Sequence, residues 1–139
     1  MEIVNLNFSV NTISKSLNDI TNKVYDYVDK SKITNGLCTL FIKHTSASLV
    51  IQENADSAVL RDIESFFTKL VAEGEKVYEH NSEGPDDMPA HIRSLLTNTD
   101  LSIPIINSKL DLGTWQGIYL YEHRSHSYKR HITVNIIGD

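Results

Sequence analysis

Apolar and polar side chains alternate from Glu2 to Val10, with Val4, Leu6, Phe8 and Val10 on one side and Asn5, Asn7 and Ser9 on the other. A period of two predicts a strand with one dry and one wet face. The period then lengthens. Leu17, Ile20, Val24 and Tyr27 or Val28 share one stripe of a helix expected over about Leu17 to Lys30, with Asn22, Lys23, Asp26 and Asp29 facing away. Beyond Gly36, LCTLFI is almost continuously apolar, which predicts a strand covered on both faces. The short run LVI follows HTSAS. A second helix is expected to start near Asn54 or Asp56, with Val59, Ile63, Phe66, Phe67 and Leu70 as its apolar face.

A polar loop carries HNSEGPDDMPAH, from His80 to His91. Pro89 suits the first turn of a short helix, AHIRSLLT, because its missing amide costs nothing there, and Asp86 or Asp87 is the expected cap. LSIPII, GIYLYEH and HITVNII read as three further strands, with Pro104 at an edge or bulge where no ladder donor is needed. No repeat, linker or low-complexity tract divides the 139 residues, so one α+β domain over 1–139 is expected.

Charge and cysteine content narrow the function. Thirteen basic against 18 acidic residues leave a net charge of -5, which disfavours a nucleic-acid surface as the main role. Cys38 is the one cysteine, and no basic leader or membrane-length apolar run appears, so a cytoplasmic protein without membrane association is expected.

Three groups of residues offer chemistry. His80 and His91 flank Glu83, Asp86 and Asp87, a density that suits a divalent ion: imidazole and carboxylate both bind zinc or manganese, and carboxylates suit magnesium. His44, at the end of the central strand, is the expected third histidine ligand. The competing reading is an ordinary capped turn, GPDDMP, with surface histidines beside it. In HTSASLVIQEN, Thr45, Ser46 and Ser48 present hydroxyls next to His44, and Glu53 and Asn54 follow. Without a Gly-x-Ser-x-Gly elbow these fit binding of a phosphate or polar ring better than a serine nucleophile. The third group is LDLGTWQGIYLYEHRSHSYKRH. Trp115, expected to be partly buried, and Gln116 lie between two glycines, and Tyr119, Tyr121 and His123 share one strand face. His123, Arg124, His126, Lys129, Arg130 and His131 form a basic cluster able to hold phosphate, or equally a solvated hairpin turn.

HTSAS, EN, HNSEGPDDMPAHI, IPI and LGTWQGIYLYEHR together resemble the YjbQ family, also known as UPF0047 and as secondary thiamine-phosphate synthase. The resemblance runs over essentially the whole chain. It implies a compact domain with a β-sandwich and packed helices, assembled as a homotrimer with a pocket near the subunit boundary. It also implies joining of a pyrimidine diphosphate to a thiazole phosphate with release of pyrophosphate. On this chain the family's motifs place His44, His80 and His91 in the pocket, with Glu53, Asp87 and Asn54 adjacent and Gln116, His123 and Arg124 from the last motif. For that chemistry a divalent metal and Arg124 would steady the leaving pyrophosphate, and Trp115 or Tyr121 would stack on the ring. Should the chain be a hydrolase, Glu53 is the expected acid-base group. A metal-dependent hydrolase of a small phosphorylated compound, or a non-catalytic trimer that binds a small ligand or metal, stands as the alternative.

Overall fold

The alternation that opens the chain is carried by β1 (Glu2–Asn11); the computed structural model describes residues 1–74 and 76–139. Next come β2 (Ser16–Asp19), α1 (Thr21–Ser31), β3 (Gly36–Ile42), β4 (Ala47–Glu53) and α2 (Ser57–Leu70). After the acidic loop follow α3 (Asp87–Leu96), β5 (Asp100–Ile106), β6 (Lys109–Leu110), β7 (Gln116–Glu122) and β8 (Lys129–Gly138). All pairings are antiparallel, in a larger sheet ordered β1-β8-β3-β5-β6 and a smaller one ordered β2-β7-β4. This is the expected α+β sandwich, a compact single domain.

The core lies between the sheets. Cys38, Leu40, Ile103, Ile132, Val134 and Ile136 of the larger sheet meet Leu49, Ile118 and Leu120 of the smaller one. Helix α1 adds Val24 and Val28 to that core. Tyr121 on the other face of the smaller sheet packs edge-on against Phe67 of α2, so α2 covers that face. The entry to α2 is set by Asp56, whose carboxylate accepts from the Ala58 amide at 2.9 Å.

Two expectations change. Leu17 is not helical: residues 16–19 form β2 against β7, and the helix begins only at Thr21. Four residues are too few for a period to declare itself. Strand β3 is covered on one face only, for Leu37 and Phe41 are 41% and 49% exposed. Its continuous hydrophobicity therefore leaves an open apolar face in the single chain. Pro104 sits as expected: its carbonyl accepts from the Asp111 amide, on the side away from β3. A strand residue's nitrogen and carbonyl point the same way, so the missing N–H faces the side where only the two-residue β6 is available.

Candidate functional site

Helix α3 and the loop before it bring His80, Asp87 and His91 together, with one potential ligand atom from each within 4.8 Å of the others. Asp87 and His91 are four apart on one helix face, which makes them neighbours through the helix itself. His80 reaches them from the loop, where Gly84 takes a φ of +108° that a side chain would strain. His80 Nε2 lies 2.5 Å from Asp87 Oδ2, and His91 Nε2 lies 3.5 Å from the same oxygen. The backbone carbonyl of Thr45 can only accept, so His91 donates to it from Nδ1 at 2.9 Å. That bond selects the tautomer whose Nε2 lone pair faces the cluster.

Asp87 is buried, while His80 and His91 keep 45% and 32% of their side-chain surface, so the cluster opens to solvent on its histidine side. Burial works against the Asp87 charge, but hydrogen bonds with His80 and Glu83 and the Arg124 charge outweigh it. The net result is a carboxyl held below its ordinary range. Arg124 spans both acids, with Nε 2.9 Å from Asp86 Oδ2 and Nη1 2.9 Å from Asp87 Oδ1, while Nη2 donates to the Glu83 carbonyl. Asp86 also accepts from the Ser125 amide at 2.8 Å. It therefore does not cap α3 with its side chain, as its position led us to expect.

An imidazole–carboxylate–imidazole set with one open side fits a divalent ion. An ion at ligand distances of about 2.0–2.2 Å would take the place of the proton between His80 and Asp87, whose 2.5 Å contact opens slightly, and the Thr45 carbonyl already orients the other ring. Beside the cluster runs a groove of about 550 Å³, walled by Phe41, Met88, Ile92 and Leu95 and edged by Lys43, His44 and His91.

Comparison with known proteins decides the family. The family model described as UPF0047 protein YjbQ-like matches residues 6–139. The chain belongs to the YjbQ/UPF0047 family. It is 52% identical over 128 residues to a UPF0047 protein of Synechocystis, covering 92% of this chain and 87% of that one. Against UPF0047 protein YjbQ of Escherichia coli it is 39% identical over 127 residues, covering 91% of each. Its fold matches the crystal structure of a YbjQ-like protein of unknown function from Sulfolobus solfataricus, with a TM-score of 0.89, 31% identity and 99% of both chains covered. A YjbQ/UPF0047 protein of Clostridium acetobutylicum matches with a TM-score of 0.87 and 38% identity over 95% of this chain and 99% of that one.

Within this family fold, His44 does not join the other two histidines. Its Nε2 accepts from the His131 amide at 2.8 Å and its ring stacks on that of His131, which occupies the lone pair a metal would need. Burial, then the nearby Arg130 and His131, lower its pKa, so it stays neutral at the groove edge. Arg124, expected to meet substrate phosphate, is engaged by Asp86 and Asp87. Ser46 and Ser48 are buried: Ser46 Oγ accepts from Arg130, and Ser48 Oγ lies 2.8 Å from His123 Nε2. Tyr121 is also buried, and its hydroxyl donates to Glu64 at 3.0 Å. Of Thr45, Ser46 and Ser48, the hydroxyl residues expected to bind a ligand, Thr45 is the one that lines the groove.

Glu53, Asn54, Trp115 and Gln116 form a separate group at the far end of the smaller sheet. Glu53 pairs with Gln116 and Ala47 with Glu122, so about six residues of strand, roughly 20 Å, separate them from the histidines. Glu53 accepts from the Asp56 amide at 3.0 Å, which ties it to the entry of α2 and away from the histidine pair it was expected to serve. Trp115 is 63% exposed, against the expectation of partial burial.

Sequence reading passed over Glu122, which is fully buried and paired with Arg130 Nη2 at 2.5 Å. Arg130 Nη2 also donates to the Ser46 carbonyl, and so anchors the segment whose Thr45 carbonyl aligns His91. Arg93 was likewise missed. It is 1% exposed and paired with Glu64 at 2.7 Å. The one available signal was the position of Glu122 on the Ile118–Leu120 side of a buried strand.

Proposed function

We propose that His80, Asp87 and His91 hold a divalent metal ion and that the chain acts there on a small phosphorylated molecule. The observation that carries this is the convergence of three ligand atoms within 4.8 Å beside an open groove. Two imidazoles and one carboxylate suit zinc or manganese better than magnesium. When bound, the ion supplies Lewis-acid stabilisation of phosphate oxygens.

Within that class we favour thiamine-phosphate synthesis. The thiazole nitrogen donates its lone pair to the pyrimidine methylene, and the carbon–oxygen bond breaks with its electrons leaving on pyrophosphate. That nitrogen carries no proton, so the step needs no base, in keeping with an Asp87 held ionised and a Glu53 at the helix entry. The chain's own contribution is to orient His91 through Thr45, to hold Asp87 through Arg124, and to offer Lys43 at the groove edge. A metal-dependent hydrolase of a small phosphorylated compound is the second reading, favoured by the open side of a three-ligand set. The third is a ligand-binding assembly without turnover.

The exposed Leu37 and Phe41 support self-association, and we propose the homotrimer as its form. No described helix is long and apolar enough to cross a membrane, and we propose a cytoplasmic location with no nucleic-acid partner. The deciding experiment incubates metal-loaded protein with both precursors and assays thiamine phosphate and free phosphate. Thiamine phosphate that disappears with Asp87→Asn supports the synthase. Phosphate alone supports the hydrolase, and neither product leaves the binding reading.

A further inference from the structure

Trp115 is the sole tryptophan of the chain, and it stands exposed on a loop that is not loose. Its carbonyl accepts from the Asn54 amide at 3.1 Å, and Asn54 Nδ2 donates to the carbonyls of Thr114 and Gln116. Gln116 Oε1 closes the turn by accepting from the Gly113 amide at 2.7 Å. These bonds fasten the backbone on both sides of the indole, which is held outward by its own scaffold. A large apolar group presented on a fastened loop loses little conformational freedom when it docks, the condition for an interface anchor.

At the opposite end of the smaller sheet lies the groove walled by Phe41, Met88, Ile92 and Leu95, with Leu95 itself 83% exposed. The two ends also differ in charge. Glu53, Asp56 and Asp111 cluster in sequence and pairing around the Trp115 loop, whereas the groove carries no carboxylate on its lining and is edged by the ammonium of Lys43. The strand length between them, roughly 20 Å, prevents the indole from reaching the groove of its own chain.

We infer that Trp115 of one copy docks in the apolar groove of a second copy. The contact is head-to-tail, so each copy both gives an indole and receives one, and such contacts close as a ring when the rotation between copies divides a full turn. It also brings Glu53, Asn54 and Gln116 of one copy to the His44–His91 edge of the next. The groove exceeds one indole in size, so its histidine end stays open for a small ligand bounded by two chains. That shared ligand site rests on the function proposed above; the Trp115 contact does not.

Because Trp115 is the sole tryptophan, its fluorescence reads the contact without any substrate or metal. In assembled wild-type protein its emission is expected to shift to the blue on concentration, with a several-fold fall in quenching by acrylamide. Leu95→Glu, at an exposed helix position, is expected to restore solvent-like emission and to reduce assembly size by light scattering. Phe66→Glu on α2, exposed but outside the groove, is the control and should change neither. Solvent-like emission from assembled wild-type protein would overturn the inference. So would a single chain at every concentration, or protection of Trp115 that survives Leu95→Glu. Protection lost with Leu95→Glu, in a protein that turns over neither precursor, would uphold the contact and remove the proposed reaction.

Discussion

His91 donates from Nδ1 to the carbonyl of Thr45, 2.9 Å away across 46 positions of sequence. The bond aligns the ring so that its other nitrogen faces Asp87. His80→Ala, His91→Ala and Asp87→Asn are each expected to weaken Co²⁺ or Zn²⁺ binding by at least about 10–100-fold, as losing a ligand should match or exceed losing its support. His44→Ala is expected to have a much smaller effect, because its Nε2 is engaged by His131. Competition with a chromophoric chelator measures all four. Equal damage from His44→Ala and His91→Ala would return His44 to the ligand set.

Arg124→Gln removes the charge that holds Asp87 Oδ1 and the clamp on Asp86. Metal affinity should fall by about 10–100-fold, with comparable losses for anionic and neutral ligands of the groove. A loss confined to anionic ligands would show that the guanidinium binds substrate phosphate instead.

Glu122 and Arg130 are a buried pair whose members cannot easily be separated. Glu122→Gln leaves the guanidinium short of its counter-charge, and we expect about 3–5 kcal/mol of destabilisation in urea titrations. Lys129→Gln, at the exposed start of β8, should stay within about 0.5 kcal/mol of wild type. Similar values for the two would mean that the pair does not hold the fold.

His123 provides a pH signature. Burial first, then Arg93 and Arg130, push its pKa from 6.5 to about 3, and its Nδ1 is the one buried side-chain polar atom without a partner among the described residues. Between those values the unfolded chain binds the proton and the folded chain does not, so stability rises with pH. The contribution is complete above pH 6.5 and is lost as the pH falls toward about 3, with a slope approaching about 1.4 kcal/mol per pH unit. Asp86 and Asp87, both lowered, add to the loss at the acid end, below the ordinary carboxyl value of 3.8. Urea midpoints across this range should show a shallower slope for His123→Asn. An unchanged slope would assign the acid lability to the carboxylates alone.

The chain's local order could be read from residue periods and short spacings. Alternation in residues 2–10 specified β1, the 3.6-residue stripe specified α2, and Pro89 fell in the first turn of α3. His80, Asp87 and His91 were recognisable because one loop and one helix carry all three within twelve positions. The family motifs marked the remaining candidates but not their distances. Tertiary structure alone placed His44 against His131, joined Arg124 to Asp86 and Asp87, and buried Glu122 with Arg130. These pairs form where antiparallel strands and loops distant in sequence meet, and no residue period encodes such a meeting. The same pairing sent the Trp115 end of β7 away from the histidines, because β4 and β7 run antiparallel over their full length. Backbone register decides which end of a strand a side chain occupies, and that register comes from the packed sheets as a whole.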